Sequence, residues 1–424
     1  MTEPTYHAYL EILGNELRPA LGCTEPIAIA YAAAKARSVL GSMPKGLSLR
    51  CSGNIIKNVK GVVVPNSGGL RGIEVAATLG VVGGDSEKQL EVLGVVSSDD
   101  VARTKELVAA GYCSCSAVQD VPALFIEVEA VDCGQRATVT IERSHTNITK
   151  IEKNGQTIFS QGKSAAPSVS EDLRRMLSVT GIIEFAEQVD IRDIKEVLDR
   201  QIRYNEAIAS EGLSKDYGIG IGRILLKRYD SSDVRIRARA KAAAGSDARM
   251  SGCPLPVVIN SGSGNQGLTV SLPVMEFAKE WQASYEDLLK ALAVANLIAI
   301  HQKRYIGSLS AFCGAVCAAT GAACGISFLH GGRYEEISRT ITDTLANIGG
   351  IVCDGAKPSC AAKISSALDA AILGFEMGTK ERKAFGNGEG LVKQNVEATI
   401  RSFGRVGAQG MKGTDQEIIR IMME

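Results

Sequence analysis

The stretch YIGSLSAFCGAVCAATGAACGISFLHGG, Tyr305–Gly332, carries no side chain that is formally charged at neutral pH. A membrane-spanning helix needs about 20 predominantly apolar residues, so length alone would allow a bilayer crossing. Composition argues against it. The segment is mostly Gly, Ala, Ser and Cys, with few large apolar side chains, and such a segment gains little from lipid. It suits a buried helix of a soluble core, one that neighbours approach closely and that leaves room beside it for something bulky.

Cysteines cluster in and after this segment. Cys313, Cys317 and Cys324 fall at i, i+4 and i+11, roughly on one face of the expected helix. A row of this kind is more often a row of small core residues than a ligand set. Cys353 and Cys360 differ in setting, because they flank "DGAKPS", a turn-rich loop between two helical stretches. Thiolates that bind iron–sulfur clusters typically sit on such loops, where backbone N–H groups point at sulfur. Zinc is the rival, but its usual paired C-x-x-C knuckles and nearby His ligands are absent.

The chain has 424 residues, which predicts two or three domains. With 47 basic and 47 acidic residues it has no net charge, which removes the electrostatic case for nucleic acid and for a polybasic membrane contact. The first residues, "MTEPTYHAYLEILG", show no basic segment followed by an apolar core. The expectation is a cytoplasmic, reducing location in which the 11 cysteines form no disulfide framework.

The secondary-structure pattern divides the chain. Residues 8–40 read as two helices broken near "RPALGCTEP". Strand signals follow in "GLSLRCS", "KGVVVP", "ALFIEVEAVD" and the alternating "RATVTIER", interleaved with helical "GIEVAATLGVVGG" and "SDDVARTKELVAAG". "SQGKSAAPSVS", Ser160–Ser170, is the linker candidate. Beyond it nearly everything reads as helix, except "CPLPVVINSGSGNQGLTVSLPV", where prolines and glycines are expected to exclude a regular one. The predicted fold class is α+β, with a mixed α/β domain over residues 1–160 and a mostly helical domain over 171–424.

Three further features bear on chemistry. "GSGNQG", Gly262–Gly267, matches the dinucleotide-binding G-x-G-x-x-G literally but is expected to lead into no helix, so it reads as a backbone-lined turn. Lys57 stands in "SGNIIKN", close to the glycine-rich "PNSGGLRG", as either a pyridoxal phosphate lysine or a solvated charge. His145 in "ERSHTNI" reads equally as a carboxylate binder or a structural histidine.

Six motifs, "LGCTEP" (Leu21–Pro26), "SGNIIKN" (Ser52–Asn58), "SHTNI" (Ser144–Ile148), "SDARMSG" (Ser246–Gly252), "INSGSGNQG" (Ile259–Gly267) and "CDGAKPSC" (Cys353–Cys360), together resemble the L-cysteine desulfidase family. These are iron–sulfur lyases related to the α-chain of iron–sulfur L-serine dehydratases, and the resemblance runs in order along essentially the whole chain. It implies a [4Fe-4S] cluster held by Cys313, Cys353 and Cys360, with one iron left free for substrate. The serine dehydratases have a somewhat longer loop between the last two ligands. Cys317 and Cys324 match no family ligand, and Cys23 matches a functionally important cysteine, as base or as alternative ligand. The implied reaction eliminates sulfide from L-cysteine to give pyruvate and ammonia. An iron–sulfur L-serine dehydratase, a pyridoxal phosphate lyase using Lys57, and a non-catalytic iron–sulfur sensor are the alternatives. An amino-acid substrate presents a carboxylate and an ammonium, so Asn54, Lys57, His145, Thr146 and Asn265 are expected to line one pocket with the cluster cysteines. The expected partner is that small substrate, with neither nucleic acid nor membrane; a homo-oligomer is left open.

Overall fold

The computed structural model describes residues 1–161, 169–307, 309–386 and 388–424. Most of the linker candidate therefore lies outside the described residues. The chain is mixed, with a sheet in its N-terminal part and helices dominating afterwards, as the α+β reading expects.

A six-stranded sheet is built from β2 (Gly46–Ser52), β3 (Cys113–Val118), β4 (Phe125–Asp132), β5 (Gln135–Glu142), β6 (Ile148–Lys153) and β7 (Gln156–Ser160). A short strand, β1 (Pro19–Leu21), precedes them and belongs to a separate pair. The order is β3-β2-β4-β5-β6-β7, and only the β2–β3 pair is parallel. Parallel neighbours need a crossover, which the helices Gly53–Val59, Ile73–Gly83 and Ser98–Ala109 supply. The other strands form a meander. Its turns at Cys133–Gly134 and Asn154–Gly155 have positive φ at both residues, the geometry that matches strand twist in two-residue hairpins. "KGVVVP", expected as a strand, makes only an isolated bridge from Val63 to Arg71.

One face of the sheet rests on the helix Thr24–Leu40, through Ile126, Val128 and Ala130 of β4 and Ala137, Val139 and Ile141 of β5. That helix is alanine-rich and buried nearly all round. Small side chains let the helix Ile73–Gly83 approach on its other side, so closely that a Cβ on Gly80 would stand 2.4 Å from the Ala30 carbonyl oxygen.

The helical part is organised around Gly314–Leu329, which lies against Gly264–Glu280, Tyr285–Ile306, Tyr334–Ile348 and Cys360–Phe375. Residues 315–328 of this helix are all buried. Its glycines do what the composition implied: a Cβ on Gly321 would stand 2.4 Å from the Ala295 carbonyl oxygen. The helix is shorter than the uncharged stretch, because the preceding helix ends at Ile306 and the chain turns at Gly307, with φ 96°. Cys313 is therefore the N-cap residue and not part of a helical face. No helix among the described residues is long and apolar enough to cross a membrane.

Gly264–Glu280 corrects the sequence reading, since a regular helix runs straight through Pro273. An internal proline costs roughly 3 kcal/mol through its missing N–H and its clash with the preceding turn. Here the surrounding residues, Gly264 and Gln266 through Val274, are all buried, and that packing outweighs the local penalty. The glycine motif does open a helix, with Ser263 accepting from the Gln266 N–H. Its glycines nevertheless serve close packing, because a Cβ on Gly267 would collide with the Val258 carbonyl at 1.9 Å.

Both chain ends tie the two parts together. β1 pairs antiparallel with β8 (Pro256–Val258), and the helix Glu3–Glu16 packs on Ile191–Ser214 of the helical part. At the other end, the helix Lys412–Met423 returns to Gly53–Val59.

Asp343, on Tyr334–Ile348, gives a pH-dependent prediction. It is buried, accepts from the Phe385 N–H at 3.0 Å, and has its second oxygen unpartnered. Burial raises its carboxyl to about 6. A raised carboxyl contributes stability below its ordinary value near 4, and that contribution is lost as pH rises through about 6. Asp343→Asn keeps the acceptor but cannot ionise. Urea unfolding should find the variant more stable than the parent at pH 7.5, by on the order of 2 kcal/mol, with the gap closing at pH 4.

Candidate active site

A cavity of about 110 Å³ opens where the sheet-bearing and helical parts meet. A single water needs about 10–15 Å³ of such space, so the cavity accepts a group much larger than an ion. Its wall draws on separate elements: Cys23 and Glu25 at the start of Thr24–Leu40, Lys57 and Asn58 from Gly53–Val59, and His145 from the loop between β5 and β6. From the helical part come Arg249, Asn265, Gln266, Lys303, Cys313, Cys353 and Cys360.

The wall is electropositive by construction. Helices begin there at Thr24, Gly264, Gly314 and Cys360, each presenting unpaired N–H groups and the positive end of its dipole. Lys57, Arg249 and Lys303 add three cationic side chains, all nearly inaccessible to solvent. The Lys57 ammonium meets Asp415 Oδ1 at 2.5 Å, bringing the C-terminal helix to the site. Lys303 Nζ donates to the Gly307 carbonyl, and burial pushes its ammonium below the usual lysine range.

Three of the cavity's cysteines come from the helical part. A bridge between Phe312 and Val352 sets the two loops in register, with the Cys313 N–H on the Ile351 carbonyl and the Cys353 N–H on the Ala311 carbonyl. The two thiols consequently lie close enough to shift each other's ionisation. The Cys313 thiol, then the Lys57 charge and the Gly355 N–H, hold Cys353 down at about 6 despite burial. Burial keeps Cys360, the first residue of its helix, above the ordinary thiol range. Cys317 and Cys324 do not line the cavity and are fully packed in the core.

From the N-terminal part, Cys23 Sγ donates to Glu25 Oε2 at 3.0 Å. Burial and the Glu25 charge push the Cys23 thiol well above its usual value. Glu25 Oε1 accepts from Asn58 Nδ2 at 3.0 Å and lies 3.7 Å from His145 Nε2. Burial alone would raise the Glu25 carboxyl, but His145 and Cys23 outweigh it and hold the group at about 2.

Cys23, Lys57, His145, Asn265, Cys313, Cys353 and Cys360 thus meet in one cavity. Asn54 and Thr146 are not on its wall. Asn54 lies one turn before Lys57 with its Oδ1 buried and unpartnered, and the Thr146 carbonyl accepts from the Ile148 N–H. Sequence reasoning missed Glu25, Asn58, Arg249, Gln266 and Lys303. The first four lie inside the quoted motifs, so the motifs themselves were the available signal. Lys303 sits in an ordinary helical stretch with none.

Among the described residues, no three His, Cys, Asp or Glu side chains are arranged to hold a single metal ion. Cys313, Cys353 and Cys360 line the 110 Å³ cavity together. The donor set is all thiol, and helix ends and cations offset the negative charge that thiolate-bound clusters carry.

A model of the family described as serine dehydratase alpha chain matches residues 87–420. The chain belongs to that family. Within reach of it stand a UPF0597 protein of Lachnoclostridium phytofermentans, 51% identical over 418 residues covering 99% of this chain and 100% of the relative, and one of Desulfitobacterium hafniense, 52% identical over 99% and 97%. A UPF0597 protein of Treponema denticola is 44% identical over 99% and 98%. Membership in the serine dehydratase alpha chain family points to a lyase of the dehydratase type, associated with iron and sulfur.

The Lys57–Asp415 pair can be tested for its weight. Its side chains are 1% and 14% exposed, so removing one partner leaves the other charge buried. Asp415→Ala should lower the urea-derived stability by about 3–5 kcal/mol. The double variant Lys57→Met/Asp415→Ala should recover most of that loss, giving a large coupling energy in the double-mutant cycle.

Proposed function

We propose that the protein is an iron–sulfur lyase that eliminates sulfide from L-cysteine, yielding pyruvate, ammonia and hydrogen sulfide. The observation that carries this reading is the convergence of Cys23, Cys313, Cys353 and Cys360 on one buried electropositive cavity. Cys313, Cys353 and Cys360 would hold a [4Fe-4S] cluster. With only three protein ligands, a bound cluster supplies a Lewis-acidic iron with a free position suited to soft sulfur.

The remaining work falls to the chain. Cys23 is the group that takes the Cα proton, and it does so as the thiolate; burial and the Glu25 charge hold its thiol protonated, so it must first give that proton to solvent as the site loads. His145 and Asn58 hold the Glu25 carboxylate toward Cys23. As the Cα–H bond breaks, its electron pair forms the Cα–Cβ double bond and the Cβ–S bond breaks, releasing sulfide. The aminoacrylate tautomerises and adds water to give pyruvate and ammonia, with no net redox change. Burial of the cavity keeps bulk water from the proton transfer. A pyridoxal phosphate Schiff base on Lys57 would have to break the Asp415 ion pair, which disfavours that alternative.

A second reading, elimination of water from L-serine by the same groups, is favoured by the description of the matching family. Anaerobic reconstitution followed by sulfide and pyruvate assays separates the two. For a desulfidase, kcat/KM for L-cysteine should exceed that for L-serine by tenfold or more, and the reverse ratio supports the dehydratase. Bound iron with no turnover of either amino acid would leave the sensor reading.

The cysteines can be sorted by spectrum. Ala at Cys313, Cys353 or Cys360 should abolish or destabilise the brown chromophore, whereas Ala at Cys317 or Cys324 should leave iron content near that of the parent. Cys23→Ala should keep the chromophore and lose about 10²–10⁴-fold in kcat, the usual scale for a general base. Loss of the chromophore there would instead make Cys23 a ligand.

A further inference from the structure

Arg249 is the cavity's one cation without a counterpart among the described residues. It lies in the last turn of the helix Val234–Met250 and is 2% exposed. Its Nε is buried with no acceptor, and among the described residues no carboxylate or carbonyl pairs with its guanidinium. The groups that feel its charge are the thiols of Cys23 and Cys360. It also rests on Gly264, where a Cβ would come within 2.3 Å of Nε, so it stands at the positive end of a helix. Two positive features together in a desolvated place are costly unless an anion joins them. By contrast, Lys57 already has Asp415 and Lys303 has the Gly307 carbonyl.

The same wall carries unused acceptors. Asn265 Oδ1 and Gln266 Oε1, on the first turn of the Gly264–Glu280 helix, are both buried without a donor. A free guanidinium beside two free amide oxygens complements an α-amino acid, which brings one carboxylate and one ammonium.

The geometry points to Arg249 as the residue that takes the substrate's α-carboxylate, with the amide oxygens of Asn265 and Gln266 receiving its ammonium. The inference rests on the reading of the cavity as an amino-acid lyase site and adds to it a reason for selecting substrates with a free carboxylate. The planar fork of arginine donates to both carboxylate oxygens at once, which a lysine cannot do.

The test uses the anaerobically reconstituted full-length protein, with Arg249→Lys and Arg249→Met variants. The probes are L-alanine, which has the carboxylate and ammonium but no leaving group, and L-alaninamide, which lacks the carboxylate charge. By titration calorimetry the parent should bind L-alanine about tenfold to hundredfold tighter than L-alaninamide, the range for one charge-assisted contact. Both variants should lose that discrimination while keeping the parent's iron content and chromophore. Ligand-free Arg249→Met should melt no lower than the parent, because it removes an unpaired buried charge, whereas loss of a purely structural arginine would lower the melting temperature. Retained discrimination in the variants, or iron content that falls with the substitution, overturns the proposal; the latter would mean that Arg249 neutralises the cluster. Discrimination in the parent that disappears in both variants, without release of sulfide or pyruvate from any substrate, would keep the anchor and remove the lyase reading.

Discussion

Three residue pairs hold the site together: Pro19 with Val258, Ala20 with Val257 and Leu21 with Pro256. This short antiparallel ladder, extended by the Ile259 N–H on the Arg18 carbonyl, is the point at which the N-terminal and helical parts share backbone hydrogen bonds. Cys23 follows two residues after one strand, and Gly264 six residues after the other. Without that pairing, "LGCTEP" and "INSGSGNQG" would have no reason to face the same cavity.

So short a ladder needs support, and a buried amide network gives it. Asn205 accepts from the Val258 N–H at 2.8 Å and donates to the Gly267 carbonyl at 3.1 Å and to Ser271 Oγ at 2.9 Å. Asn296 exchanges hydrogen bonds with Gln201 and accepts from Asn260. All four amides are fully buried. A polar network in the interior is tolerable only when its members are satisfied, and one that is satisfied fixes position more sharply than apolar packing does. Polar atoms of the cavity wall present the opposite case: Arg249 Nε, Asn265 Oδ1 and Gln266 Oε1 are buried with nothing to bond. The contrast separates groups that build the fold from groups that await a ligand.

Close backbone packing has an electrostatic consequence. Small residues in Thr24–Leu40 and Gly314–Leu329 let neighbouring helices touch. The tight bundle aims several helix N-termini at one volume, where their dipoles act in a low dielectric. Thiolates, a carboxylate or a thiolate-bound cluster are the species such a field stabilises, and Cys313 and Cys360 sit directly on two of those helix ends.

Composition and periodicity by themselves determined the class of the protein and much of its secondary structure. The uncharged run around Cys317 read correctly as a buried helix because Gly and Ala report close approach whatever the partner is. The sheet was legible in β4 and β5, where alternation is strong, and six of the predicted site residues that share the cavity with Cys313 lie in the quoted motifs. Local pattern failed at Pro273, because a helix buried on most sides takes its stability from contacts that sequence windows do not contain. It gave no sign of Lys303, whose helix looks ordinary until the chain turn at Gly307 brings Cys313 and Cys353 near it. Only the tertiary structure decided which cations are already paired. Lys57 and Asp415 lie 358 positions apart, so their neutralisation, and the isolation of Arg249, depend on contacts between distant segments that no local stretch of sequence encodes.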